Sequence, residues 1–373
     1  MTRRLLILSF SPIASDARVL KQIELFRQEF DVVTCGYGPK PAGVTEHVAI
    51  PEDLAIWRYP KIPVIMRQYR RAYWGNQAIV AARDALQGRS FDVILADDVD
   101  TVGLALSLRP RGGVHADLHE YSPRQHDELL RFRVFVRPFM EWMCRAFVAR
   151  AQSCSTVSEG ISAEYQRRFG FRPDVVTNAA PFVDASPTPC HSPVRLVHSG
   201  AAMRNRHLNT LIDAVRKSRN ATLDLYLTPN DPEYLADLRR LAAGEERVRI
   251  HDPVPYVQLA ETLRAFDVGV HVLPPVNFNN LWALPNKIFD YVQARLGVVV
   301  GPSPEMARYI ERYGLGAVTA DFGADALANT IDEMTPGAVD EWKRSAHTHA
   351  RELSSEAQVL IWKRAIDALA SST

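Results

Sequence analysis

Residues 5–10, LLILSF, run into 16–28, DARVLKQIELFRQ, and then into 30–38, FDVVTCGYG. The first and last pieces are short apolar runs, and the last ends in glycines. The middle piece carries its apolar residues at helical spacing. Together they read as strand, helix, strand. Neither apolar run alternates with polar residues, so both faces of each strand must be covered, the condition of a parallel sheet. The unit recurs through FDVILA (91–96), preceded by a helix over 78–86, and through strand ends at 115–118 and 153–157. Four prolines in AAPFVDASPTPCHSP (179–193) then interrupt it, as in a connector. Beyond them the pattern restarts with VRLVHSG (194–200), a helix over 208–218, TLDLYL (222–227), VRIHDPV (248–254), FDVGVHVL (266–273), a helix over 285–295 and LGVVVG (296–301).

This predicts an α/β chain with two doubly wound, Rossmann-like domains facing across a cleft. The expected division is 1–185 for an N-terminal domain and 186–354 for a C-terminal domain. Residues 355–373 form a C-terminal helix that can cross back to the N-terminal domain. The helix is expected from Glu356 to Leu369, with Val359, Ile361, Trp362 and Ile366 buried.

Composition removes several classes. The chain has 373 residues, and 44 basic against 43 acidic ones argue against a nucleic-acid binder. Cys35, Cys144, Cys154 and Cys190 form no CxxC pair, so a zinc site is not expected and reduced thiols are. Arg3 and Arg4 precede an apolar run too short for a secretory leader. No apolar stretch approaches membrane-spanning length. A cytoplasmic chain is expected, at most peripheral to the inner face of a membrane. There is no P-loop signature, no GxGxxG after a strand, no GxSxG and no HExxH. Asp97, Asp98 and Asp100 are close in sequence, but neighbours at a strand end point to opposite faces, so no metal is expected.

Charge is distributed unevenly. WRYPKIPVIMRQYRRAYW (57–74) holds five Lys/Arg and no acid, and RFRVFVR (131–137) adds three arginines between apolar residues. Basic residues interleaved with aromatics suit an anionic membrane surface or an anionic acceptor, or else a rim of arginines around a domain core. Polar residues cluster where strands end: Ser11 and Ser15, Asp97 and Asp98, His119 and Glu120, Ser158, Ser199 and Gly200, and 279–287. Ligands of open parallel sheets bind beyond those ends.

ALPNKIFDYVQA (283–294), followed by LGVVVG, resembles the donor-site helix of glycosyltransferase family 4, the retaining GT-B sugar transferases. Other segments resemble that family in the same order: SDARVLKQIELFRQEFDVV (15–33), DLHEY (117–121), TVSEGISAEYQRRFG (156–170), VVTNAAPFVD (175–184) and VHSGAAMRNRHLNTLIDAV (197–215). The resemblance spans nearly the whole chain and rests on order and spacing rather than on one decisive motif.

It implies a metal-independent transfer of a sugar from a nucleotide-sugar to a hydroxyl acceptor, which can be a glycan, a lipid-linked intermediate or a small molecule. No cofactor is implied. Gly200 would lie against the donor diphosphate, with Arg204 and Arg206 supplying positive charge to the leaving group. His119 would lie near the donor sugar. Leu284, Pro285 and Asn286 would present backbone groups to that sugar, and Asp290 would clamp the ribose hydroxyls. Ser11, Asp16, Arg18, Lys21 and Glu120 are acceptor-side candidates. For the first of these, the bland reading is a helix start capped by Ser15. Two positions depart from the family: Ala201 stands where it has an arginine, and Trp282 where the E-x7-E motif has its first acid. Asn279 or Asn280 could meet the sugar in place of that acid. The rival readings are a GT-B-like nucleotide or sugar binder without transferase activity, and a GT-B epimerase.

Overall fold

β1 (Arg4–Pro12) is apolar and fully buried from Leu5 to Leu8, which a strand achieves only with neighbours on both sides and cover on both faces. It has them. In the computed structural model, which describes residues 3–371, β1 pairs in parallel with β2 (Asp31–Tyr37) and with β4 (Val93–Asp97). Leu6 lies between Val33 and Ile94. β3 (Glu46–Ala49), β5 (Gly113–Leu118), β6 (Ser153–Thr156) and β7 (Asp174–Val175) complete a parallel sheet of order β3-β2-β1-β4-β5-β6-β7.

The second sheet repeats the arrangement with β8 (Val194–Ala201), β9 (Ala221–Thr228), β10 (Val248–His251), β11 (Val268–His271), β12 (Gly297–Val300) and β13 (Gly316–Val318). Its order is β10-β9-β8-β11-β12-β13, again parallel. In both sheets the winding reverses beside the first strand, between β1 and β4 and between β8 and β11. That reversal opens a crevice at the strands' carboxyl ends.

The chain divides into two units. One holds the chain through Thr177, Asn277–Asn279 and the chain from Val359 onward; the other holds Asn178–Val276 and Asn280–Gln358. In the first, Val19, Ile23 and Phe26 of the helix Ala17–Phe26 pack with Leu5, Ile7, Val93 and Leu95, and Trp362 and Ile366 close the same core. The cap of that helix differs from expectation. Residues 13–15 form a short 3-10 turn, so Asp16, not Ser15, is the cap, and its carboxylate accepts from the amides of Arg18 (3.0 Å) and Val19 (3.3 Å). The C-terminal segment is not one helix. It breaks at Val359 into Ser355–Gln358 and Leu360–Ser371, and Val359 and Ile361 are only partly buried.

In the second unit the helix Asn286–Gln293 lies directly on β11. A Cβ at Gly269 would sit 2.2 Å from the Tyr291 ring, so the glycine in FDVGVHVL makes room for that ring. Among the described residues, no helix is long and apolar enough to cross a membrane.

Candidate functional site

The carboxyl edge of the first sheet is built around Asp117, next to last in β5 and fully buried. Arg18, on the first helix, donates to both its oxygens at 2.7 Å and to the Val176 carbonyl at 3.0 Å. Gln22, one turn further on, donates to Asp117 (3.0 Å) and to Asp97 (2.8 Å) at the end of β4. Ser155 donates to Asp117 (2.6 Å) and sits against His115 Nε2 (2.9 Å) and the Trp362 indole nitrogen (3.0 Å). The Arg18 guanidinium stacks over that indole at 4.6 Å.

His119 follows β5. Its Nε2 lies 3.7 Å from Asp117 and 3.9 Å from Asp97, and its Nδ1 lies 3.8 Å from Asp98. Asp98 reaches it from a left-handed backbone (φ 65°), which is uncommon for a residue other than glycine and concentrates at functional edges. The third acid of the trio turns away: Asp100 accepts from Tyr59.

These neighbours divide the protons. Burial and the adjacent Asp117 push the Asp97 carboxyl well above the usual range, so it stays neutral. Burial alone would do the same to Asp117, but Arg18 and His119 hold it well below. Burial disfavours charge on His119, yet Asp98 and Asp117 outweigh it and raise the imidazole to about 9. Asp97, Asp117 and His119 bring ligand-type atoms within 4.8 Å of one another. The positive charge facing Asp117 is nonetheless already supplied, by Arg18 on both oxygens. Two like carboxylates with separated proton affinities, and a charged imidazole over them, can hold a substrate hydroxyl and steady its proton.

The second sheet's edge has a different character. Gly200, next to last in β8, has a backbone (φ 150°) that side chains rarely adopt. A Cβ there would lie 2.7 Å from Lys287 Nζ, so the ammonium rests on the bare backbone. Burial and the charge of Arg206 depress Lys287 to about 8, against the opposing pull of Asp290. His198 and His271, both buried, stack at 5.5 Å. His198 Nδ1 donates to the Val270 carbonyl (2.8 Å), whereas neither ring nitrogen of His271 has a hydrogen-bond partner. Burial first, and Lys287 and Arg206 after it, lower His198 to about 3 and keep His271 neutral too. The edge therefore carries two cations over a neutral floor, one of them resting on the glycine backbone. That is an anion cradle.

The remaining candidates scatter. Arg204 is held away from Lys287 by ion pairs to Asp237 (3.0 Å) and Asp231 (3.4 Å). Asp290 is buried and accepts from the Tyr256 hydroxyl (3.3 Å). Leu284 is core, Pro285 starts the helix and Asn286 is exposed. Ser11 meets Ser9 (2.9 Å), Asp16 is spent on its cap, and Lys21 is half-buried on the same helix. Glu120 accepts from Asn279 (3.0 Å), which also accepts from the Tyr121 amide (3.0 Å); Asn280 instead donates to the Pro274 carbonyl (3.4 Å).

Two central groups lay within the segments read, DLHEY and 279–287, without being assigned a role: Asp117 and Lys287. The second left a trace. It sits in the first turn of a helix, where the dipole disfavours a cation, so its placement needs another reason.

No family model and no curated protein matches the chain. Solved structures do. HepE from Anabaena in complex with UDP and glucose is 14% identical at TM-score 0.68, covering 98% of this chain and 100% of that one. Sucrose-phosphate synthase from Thermosynechococcus elongatus is 13% identical at TM-score 0.70, over the full length of both. α,α-Trehalose 6-phosphate synthase from Burkholderia multivorans is 13% identical at 0.67, over 100% and 99%. At such identities the likeness shows the fold, and the fold is the two-unit GT-B class.

Proposed function

We propose that the chain is a retaining, metal-independent glycosyltransferase that moves a sugar from a nucleotide-sugar to a hydroxyl acceptor. The observation carrying this is Lys287 resting on Gly200 with the charge of Arg206 acting on it, on a sheet edge with no metal-ligand set of its own among the described residues. A departing nucleoside diphosphate gains negative charge as the glycosidic bond breaks. Fixed cations aimed at that charge favour the transition state over the bound donor. The second unit takes the donor, with Asp290, oriented by Tyr256, on the ribose hydroxyls. The first unit takes the acceptor, with protonated His119 against a substrate hydroxyl. The acceptor attacks on the face the diphosphate leaves, so the protein's contribution is positioning and charge stabilisation. Structures of this fold in complex with UDP and glucose support a nucleotide-sugar as the ligand class. Fold alone does not carry the activity.

Trp282 and Ala201, in place of an acid and an arginine, favour a second reading: a nucleotide-sugar binder that transfers nothing. One experiment separates the two. The protein is melted without metal in the presence of UDP, GDP, TDP, ADP and their sugars. A ligand at about 100 times its Kd adds about 2.7 kcal/mol, well within reach of a melt. The sugar nucleotide that shifts the melt is then incubated with alcohol acceptors, and the anomeric configuration of any product is read by NMR. A shift with product of retained configuration is expected. A shift with neither transfer nor slow donor hydrolysis establishes the binder, and no shift with any nucleotide removes the donor site.

A further inference from the structure

Thirteen large hydrophobic residues are exposed among those described, and eight fall in two short stretches of the first unit. Trp57 (74% exposed), Ile62 (76%), Ile65 and Met66 (63%) lie in and around the helix Lys61–Ile65. Leu129, Leu130 (66%), Val134 and Phe135 lie in and before the π-helical turn Phe132–Val136, in which only Phe132 is buried. That helix and turn pack against each other. Beneath them Tyr59 meets Phe139 edge-on at 4.7 Å, and Tyr69 meets Trp142 at 6.0 Å. The two stretches are thus one face, anchored by an aromatic layer, with its apolar tips left in water. Contiguous exposure of this kind marks an interaction surface.

Its charge says what it meets. Arg58, Lys61, Arg67, Arg70 and Arg71 on one stretch, and Arg131 and Arg133 on the other, are all exposed. Beside the second stretch, Asp127 is already paired to Arg124 at 2.7 Å, while Glu52 and Asp53 lie before the first stretch and outside its basic run. A second copy of this chain placed on the same face would oppose like charges, which disfavours an isologous dimer there. An interface core with a protein partner is normally depleted of charge, whereas here basic and apolar side chains interleave. An anionic bilayer satisfies both sets together. The apolar tips enter the acyl boundary while the long basic side chains stay at the headgroup phosphates. We propose that residues 57–71 and 129–135 form one surface that docks the first unit on a membrane bearing anionic lipid. The proposal stands whether or not the transferase reading does.

The test is flotation with vesicles of phosphatidylcholine, with and without phosphatidylglycerol. Binding to the anionic vesicles is expected, with little to the neutral ones. Raising salt from about 0.1 M to about 1 M, which shortens screening from about 10 Å to about 3 Å, should release much of it. The double variant Arg67→Glu, Arg131→Glu should bind about tenfold or more weakly. Ile62→Asn with Leu130→Asn should also lose binding. Both variants replace exposed side chains, so both should melt like the parent and keep any nucleotide-induced shift. Failure to bind anionic vesicles, equal binding to neutral ones, or binding undiminished in both variants overturns the proposal. So does a dimer in solution that the Asn variant dissociates, which would assign the face to a second copy.

Discussion

At the carboxyl edge of the first sheet, Arg18 is held by both oxygens of a buried Asp117; at the same edge of the second, Lys287 and Arg206 sit over two neutral histidines. The strand order around the two edges is the same. The first edge answers the charge of Asp117 from within the chain, through Arg18. At the second, burial and Arg206 depress Lys287 to about 8 against the opposing pull of Asp290. On the proposed reading, one fold carries a structural ion pair and an anion site at equivalent places, and what distinguishes them is whether the counter-ion is covalently part of the chain.

The strongest way to break this contrast is to remove one partner on each side. Asp117→Asn leaves Arg18 buried without its counter-charge and should cost about 3–5 kcal/mol, read as a lowered urea midpoint at constant slope. A loss below about 1 kcal/mol would mean that the first edge is not held by that pair. Lys287→Met should do the reverse. The variant should melt no lower than the parent while its affinity for nucleoside diphosphate falls by about 1.5–3 kcal/mol, the worth of a hydrogen bond to a charged group. Arg206→Ala should lower transfer by about 2–4 kcal/mol in kcat/KM. Stability lost with affinity unchanged in either would make these two structural as well.

Proton linkage sharpens the comparison by a smaller amount. His119 is raised from 6.5 to about 9, so its contribution to stability is complete below about pH 6.5 and fades as pH rises through about 9. The difference in unfolding free energy between the parent and His119→Gln should follow that curve. Lys287 has the opposite sign. It loses its charge as pH rises through about 8, so diphosphate affinity should weaken above that pH, and binding there should take up a proton, visible as a calorimetric heat that depends on the buffer. The smallest effect is expected from Asp97→Asn. Asp97 is already neutral in the folded state, and Gln22 donates to its Oδ1, an oxygen that the amide retains. A change of about 1 kcal/mol or less at pH 7 is expected. A loss as large as that of Asp117→Asn would show that both carboxylates are ionised.

The fold was readable because apolar runs such as LLILSF and LGVVVG are long enough to announce buried parallel strands. Three of the four edge strands were not: β3, β7 and β13 have only two to four residues, which leaves no period to detect. The sites were readable by position and less so by role. Arg18 and Asp16 stand at a strand–helix turn where ligands gather, yet one is bound to Asp117 and the other caps its helix. Arg204 and Arg206 are two residues apart, and only the fold places Asp231 and Asp237 where they draw Arg204 off. The meeting of Gly200 with Lys287 joins residues far apart in the chain, so no local pattern carries it.

Trp362, which roofs the Arg18–Asp117 pair and bonds Ser155, is separated from the rest of its core by the whole second unit. On the ribosome this becomes a matter of timing. About 180 residues must be translated between Thr177 and Val359, on the order of 10–40 s at typical elongation rates. Throughout that interval the nascent first unit presents Val93 and Leu95 without their lid, a client surface for chaperones and a window for proteolysis that closes only once Trp362 and Ile366 have been made.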